Sequence, residues 1–516
     1  MKTIKHIAGK FFGHPFIAAL VALTIYHFLF WNESIGVNIL IFNTIIISLH
    51  YIRQASLFRN KKVILSAIAT VLTSVQVVIL DTEMSVFGYV CAMAVFTGYV
   101  YRPEIRTVAG AAITGMLNIP SGFIHKCIVV KELFIKLTGM RRIWYIAKLM
   151  IIPAIILFVF TLIYSIANPV FDSLSYTIFS KIKILCDYLD KYLNIRWINF
   201  IIGGLILTGG LLADGKIMFL KNIEQQQKDT LFRRKNTSYI SFDINTIGLK
   251  NEMKVGVLVM LLVNILLLIE NCIDINWIWF NFSLSGNQTY AQLVHEGTYL
   301  LIFSILLSMG IIFYFFRKNQ NFYANNKWLK RMAYGWVMQN MILVISVVIR
   351  NLRYINEYGI TYRRIGVILF LLFTIIGLIL LYMRIRNRKT IFYSIKSGTL
   401  AIFLIFLAFN FANWDVVIVS YNLNKGGTAV DTRYLLSFSD KTLPTLCQHF
   451  GVLKKTGDTM AMTKLASRVI DSKNKKLHRN ETFMSWNYAN FMIRRQLSKV
   501  TTVRPPEKEG LPDSFR

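Results

Sequence analysis

The stretch IGVILFLLFTIIGLILLYM, residues 365–383, decides the fold. It carries no charge, and it lies between Arg363 and Arg364 on one side and Arg384, Arg386, Arg388 and Lys389 on the other. A helix needs about 20 apolar residues to cross the hydrocarbon core of a bilayer. Such a helix pairs its own amides and carbonyls, which is the condition lipid imposes.

The same pattern recurs along the chain. Comparable runs are Pro15–Trp31, Ile35–Tyr51, Val63–Leu80, Met84–Tyr101 and Ile146–Val170. They continue with Trp197–Phe219, Val255–Ile275, Thr298–Phe316, Met332–Ile349 and Ser397–Trp414. The fold expected is therefore all-α, a polytopic transmembrane helix bundle of about eleven crossings, each near the spanning length. A mainly helical or partly disordered C-terminal tail follows it.

Composition agrees. Of 516 residues, 55% are hydrophobic and only 16% charged, against about 25% charged in soluble domains. The net charge of +32 raises nucleic acid as a partner. However, Lys and Arg cluster beside the apolar runs, where membrane insertion places them. The partners expected are the bilayer and its anionic head groups, not nucleic acid. The cysteines, Cys91, Cys127, Cys186, Cys272 and Cys447, are scattered and odd in number. That spacing argues against a disulfide framework or a zinc site, and no cofactor or metal is expected. The first apolar run closes on Phe28, Leu29, Phe30 and Trp31 instead of the small residues of a cleavage site, so it reads as an uncleaved helix.

Loop charge alternates. Arg53, Arg59, Lys61 and Lys62 precede the third run, while Asp81 and Glu83 follow it. Basic groups also follow the fourth, sixth, eighth and tenth runs, and the segment Glu270–Glu296 has no Lys or Arg. The positive-inside rule then puts the N-terminus in the cytoplasm and the tail outside, in a cell (inner) membrane of bacterial type. Thr107–Ile124 resists this scheme. It is rich in Gly, Ala and Ser, with Asn118 and Pro120, and a crossing there would turn every later loop over. It is expected to be a re-entrant or interfacial hairpin; a short crossing helix packed through small residues is the alternative.

The organisation expected is four helices in 1–106, the irregular segment and a basic loop in 107–145, seven helices in 146–415, and an extramembrane tail in 416–516. Leu174, Ile178, Ile182, Leu185 and Leu189 form one stripe, which suggests an amphipathic helix over 171–193 on the outer surface. Met462, Leu465 and Val469 repeat at helical spacing in the tail.

The most suggestive polar residues fall at the outer ends of the last four runs. They are His295, Glu296, Arg350, Arg353, Glu357, Tyr362, Arg363, Arg364, Asp415, Tyr421 and Asn422. Arginine grips carboxylate or phosphate with a planar fork, and polar residues at membrane depth are candidates for function. Either these residues hold an anionic ligand, or they form an ion-pair network that locks the helices, with Glu296 or Glu357 pairing Arg363 or Arg364. His295-Glu296 lacks the second His of a zincin. Asn264, Glu270, Asn271, Gln339 and Asn340 either line a wet pathway or bond between helices.

Several stretches resemble an uncharacterised bacterial integral membrane family, a domain of unknown function numbered 4173 and related to 4153. They are Tyr290 through Tyr299, Gly359-Ile-Thr-Tyr-Arg-Arg-Ile-Gly366, Ser420-Tyr-Asn-Leu-Asn424, Asp431 with Tyr434-Leu435, and Ser439-Asp440 with Leu443-Pro444-Leu446. The resemblance covers roughly the second half of the chain. It implies a multi-pass membrane protein, supplies no catalytic residues, and falls on the outer-end cluster.

Three functions compete. The first is a transporter or lipid-handling protein with an outward-facing anionic-ligand site. The second is a scaffold or sensor whose tail binds an envelope partner. The third is a membrane-embedded envelope enzyme using His295 or Glu296 as general base.

Overall fold

The computed structural model describes residues 15–138, 194–232, 249–280, 299–316, 326–425, 431–455, 457–477 and 482–499, with scattered residues between 150 and 183 and the pair 321–322. The architecture is all-α. In chain order come α1 (Pro15–Phe30), α2 (Val37–Arg53), α3 (Lys61–Leu80), α4 (Glu83–Tyr101), α5 (Val108–Thr138), α6 (Ile195–Leu212) and α7 (Phe219–Gln226). Then follow α8 (Leu249–Asp274), extended by a π-helical turn at Ile275–Phe280, α9 (Tyr299–Phe315), α10 (Lys327–Tyr358), α11 (Tyr362–Arg386) and α12 (Ile391–Phe409). The last are α13 (Trp414–Lys425), α14 (Leu443–Gln448), α15 (Phe450–Lys455), α16 (Thr459–Leu477) and α17 (Tyr488–Leu497).

Among the described residues, seven helices are long and apolar enough to cross a membrane: α3, α4, α6, α8 with its π turn, α10, α11 and α12. The apolar parts of α1, α2 and α9 are shorter. The expected crossing at Ile146–Val170 and the amphipathic helix over 171–193 lie largely outside the described residues. Where side chains are described there, Leu157, Ile166, Val170 and Leu174 are exposed.

Two ends of the bundle are chemically distinct. At one, Arg53 donates to the Leu212 carbonyl, Arg102 pairs with Asp214 at 2.8 Å, and Lys221 pairs with Glu104 at 2.9 Å. Asp229 is held there by Arg106 and by Lys396 at 3.1 Å. The turns after α2, α4, α6 and α11 therefore meet at a basic end. At the other end, the Val37 amide donates to the Trp486 carbonyl at 3.0 Å, and Lys441 pairs with Asp81 at 3.4 Å. The turns after α1, α3, α10 and α12 meet there with the tail.

The hairpin expected over 107–124 is corrected by this arrangement. Val108–Thr138 is one continuous helix with Pro120 inside it. It runs antiparallel to α4, because Gly98 abuts Ala111 while Gly115 abuts Ala94. A Cβ at Gly98 or Gly115 would overlap the facing carbonyl oxygen, so the small residues permit contact between backbones and do not mark a turn. Asn118 is polar for a similar reason. Its amide donates to the Gly210 and Ala213 carbonyls at 2.6 and 2.8 Å, and its oxygen accepts from the Gly215 amide. Helix α6 starts at the tail end, where Trp197 bonds His27, and ends beside Arg53.

Polar groups stitch α8 to α10. Asn264 donates to the Met332 carbonyl at 3.0 Å and accepts from Gln339 at 3.0 Å, and Asn271 donates to the Gln339 carbonyl at 3.2 Å. Such bonds contribute about 0.6 kcal/mol each. For Asn264, Asn271 and Gln339 the described geometry is that of interhelical bonding, whereas Asn340 donates within its own helix, to the Trp336 carbonyl at 2.8 Å.

The tail is a packed helical unit. Leu435, Leu443, Leu446, Leu453, Leu465, Val469, Ile493 and Leu497 are buried with Ile365 of α11 and Ile418, Val419 and Leu423 of α13. Met462, Leu465 and Val469 lie on the buried face of α16. Helix α10 has 32 residues, which is about 48 Å at 1.5 Å per residue. That exceeds the roughly 30 Å hydrocarbon layer, so its last turns project toward the tail.

Candidate functional site

Those projecting turns wall a pocket of about 620 Å³. Its lining comes from the end of α10 (Asn351, Tyr354, Glu357, Tyr358), the start of α11 (Thr361 to Arg364), α13 (Asn422, Lys425) and the tail (Asp431, Tyr434). Tyr299 at the start of α9 closes one side.

The turn at Gly359 builds the pocket. Gly359 ends α10 with φ +78°, and the Asn422 side chain lies where a Cβ would be. Only glycine meets both demands without strain. Asn422 accepts from the Ile360 amide at 2.7 Å and donates to the Ile360 carbonyl at 2.9 Å, pairing with both backbone groups of one residue as a strand neighbour would. Thr361 caps α11 through the Arg364 amide. The Tyr434 hydroxyl accepts from the Tyr362 amide at 3.2 Å, and Asp431 caps its own turn through the Tyr434 amide. The segments at 359–366, 420–424 and 431–435 thus form a single unit.

The expected arginine cluster separates into different roles. Arg350 is buried and paired with Asp274 of α8, outside the pocket. Arg353 donates to the Ile278 carbonyl at 2.9 Å in the π turn. Arg364 donates to the Tyr358 and Gly359 carbonyls and stacks on Tyr354, 4.0 Å from the ring centre. These three satisfy helix ends or a buried acid. Arg363 differs: it lines the pocket, is exposed, and has no partner among the described residues.

Glu357 lines the pocket but forms no ion pair with Arg363 or Arg364 among the described residues. Asp415 lies beyond the lining, where it accepts from the Tyr362 and Ser439 hydroxyls. Tyr421 also lies outside the lining, and His295 and Glu296 fall outside the described residues. The sequence reading missed Asn351 and Lys425. Asn351, Tyr354 and Tyr358 stand at i, i+3 and i+7, one helical face, and that spacing was a usable signal. Asn351 is fully buried; its amide donates to the Arg364 carbonyl at 3.1 Å, while its side-chain oxygen has no partner among the described residues. Among the described residues, Lys425 reaches the Ile355 carbonyl at 3.4 Å.

The lining therefore offers a free guanidinium, a weakly held ammonium, an unused buried acceptor and five tyrosines. No group of three or more metal-ligating side chains occurs among the described residues.

Residues 17–449 match the family model DUF4153, a domain of unknown function. The match covers both halves of the bundle, and it is to family 4153, the relative that the resemblance pointed to. No curated protein and no solved structure matches the chain.

Proposed function

The chain belongs to the DUF4153 family, and we propose that it is a multi-pass membrane protein that binds an anionic, hydroxyl-bearing ligand at the tail end of its bundle. In this reading it is a transporter or lipid-handling protein of about eleven crossings, with its basic end in the cytoplasm and its pocket on the outer side of a cell membrane.

One observation carries the proposal. Of the four arginines gathered toward this end, Arg363 alone faces the pocket without a partner among the described residues. A guanidinium there fits carboxylate or phosphate. The unused Asn351 oxygen asks for a donor, which a hydroxyl supplies. The tyrosines offer faces for a sugar or polyol. Glu357 and Asp431 also line the pocket, and they disfavour a multiply charged anion.

The test compares Arg363→Gln with Arg364→Gln in the full-length protein. Native mass spectrometry would read co-purifying anionic lipid or glycan. Arg363→Gln should lose the ligand with thermal stability unchanged, whereas Arg364→Gln should lower stability by releasing two carbonyls. Equal ligand occupancy in wild type and Arg363→Gln sinks the reading.

A second reading has its own support. The tail touches both halves of the bundle, at Val37 and Asp81 on one side and at Tyr362 on the other. A partner that grips the tail would act on both, as in a scaffold or sensor.

A further inference from the structure

At the basic end a second cavity of about 620 Å³ lies between the first turns of α8 and α10. Its polar lining is Lys254, Lys327 and Arg331, with Trp328 beside them. Its apolar lining is Met253, Val257, Leu258 and Leu261.

The two linings are arranged in order of depth. Lys254, Val257, Leu258 and Leu261 stand at i, i+3, i+4 and i+7 of α8, so they form one stripe. The stripe begins with a cation and continues as aliphatic side chains. Beyond it, Leu262, Ile265 and Leu266 are exposed on the same spanning helix. On the opposite side, Gly256 lets α8 close against Phe315 of α9 and Leu329 of α10. That contact fixes the helix pair and leaves the stripe outward.

The cations are free to act. Lys254, Lys327 and Arg331 are exposed, and none forms an ion pair among the described residues. Three like charges in one cavity repel one another, so an anion there relieves a cost as well as making contacts. Helix α10 also begins here with no acidic residue in its first turn. Its first amides add positive potential. Trp328 is 60% exposed with Arg331 stacked at 5.3 Å, the usual position of an amphipathic ring at the membrane–water boundary.

We propose that this cavity is a binding site for one anionic diacyl phospholipid of the leaflet that meets the basic end. Lys254, Lys327 and Arg331 take the phosphate. Val257, Leu258 and Leu261 take an acyl chain, which continues along the exposed face of α8. A free phosphate would use the cations and leave the apolar stripe uncovered. The inference is independent of the tail-end pocket.

The experiment uses full-length protein in nanodiscs of equal phosphatidylglycerol and phosphatidylethanolamine, extracted into mild detergent for native mass spectrometry. Wild type should retain phosphatidylglycerol over phosphatidylethanolamine by about tenfold, the preference about 1.4 kcal/mol would give. The variant Lys254→Gln/Lys327→Gln/Arg331→Gln should lose that preference at least fivefold. A control variant, Lys454→Gln/Lys455→Gln/Lys464→Gln, removes three exposed tail charges and should keep it. Retention by the first variant, equal loss in both variants, or no lipid preference in wild type overturns the site. Displacement of the lipid by millimolar glycerol phosphate also overturns it, by showing a phosphate site that needs no acyl chain. Unchanged thermal unfolding of each variant verifies that lost lipid reflects lost contacts.

Discussion

Arg350 of α10 and Asp274 of α8 form an ion pair with only 6% and 2% of their side chains exposed. The buried Arg350 Nε and Asp274 Oδ2 have no hydrogen-bond partner among the described residues. A pair like this gains little over an apolar replacement, yet removing one partner strands a buried charge at a cost of about 3–5 kcal/mol. Arg350→Met and Asp274→Leu should each lower the unfolding temperature sharply. The double variant should recover most of the loss. Thermal unfolding in detergent of the two singles and the double checks this, and additive losses would show that the two residues do not act as a pair.

The same pair shows where sequence reading stops. The apolar run 332–349 was legible because a crossing must hide its own backbone. The helix that contains it, Lys327–Tyr358, is longer at both ends, because charged residues can continue a helix when partners exist. Asp274 lies 76 positions from Arg350, in a segment otherwise notable for lacking bases, and no local spacing joins them. Glu357, Tyr362, Arg363, Arg364 and Asn422 were picked out as polar residues near helix ends, and the pocket brings them together. Which of them were already engaged was not legible, since Arg364 is satisfied by carbonyls that every residue carries. The Gly- and Ala-rich stretch after Thr107 misled for a related reason. Small residues suit a turn and a close helix contact equally well, and only the neighbour decides.

That contact is itself testable. Gly98 and Gly115 sit against the Ala111 and Ala94 carbonyl oxygens with no room for a Cβ. Gly98→Val or Gly115→Val must push α4 and α5 apart, which costs packing along a long helix pair. Each variant should show strongly reduced folded yield by fluorescence-detected gel filtration. Gly203→Ala, at a position open to space, should behave as wild type. Normal yield from both valine variants would return residues 107–124 to a loosely packed segment.

Acid should loosen the basic end through Asp229. Burial alone would push its carboxyl up, but hydrogen bonds and charge from Lys396 and Arg106 outweigh that and hold it below the usual carboxylate range. A depressed pKa contributes stability that is present above the unfolded value, about 3.9, and lost as pH falls through the lower folded one. Wild type should therefore lose stability between about pH 4 and the lower folded value. Asp229→Asn should start less stable at neutral pH and lose less over that window. Parallel curves for the two proteins, measured by thermal unfolding against pH, would mean that Asp229 contributes nothing there.

The side of the tail follows from which turns share an end. Arg53, Arg102, Arg106 and Lys396 gather opposite the Trp486 and Lys441 contacts. Positively charged turns are retained in the cytoplasm, so the tail and the Arg363 pocket should both face outward. A reporter active only outside, joined after Arg516, should be active, and one fluorescent only inside should stay dark. A single cysteine at Lys464, in a background free of the native cysteines, should react with an impermeant maleimide in intact cells. A cysteine at Lys221 should react only after the membrane is opened. The opposite pattern would move the pocket to the cytoplasmic side. The basic end would then face outward against the charge rule, and the ligand would have to come from inside the cell.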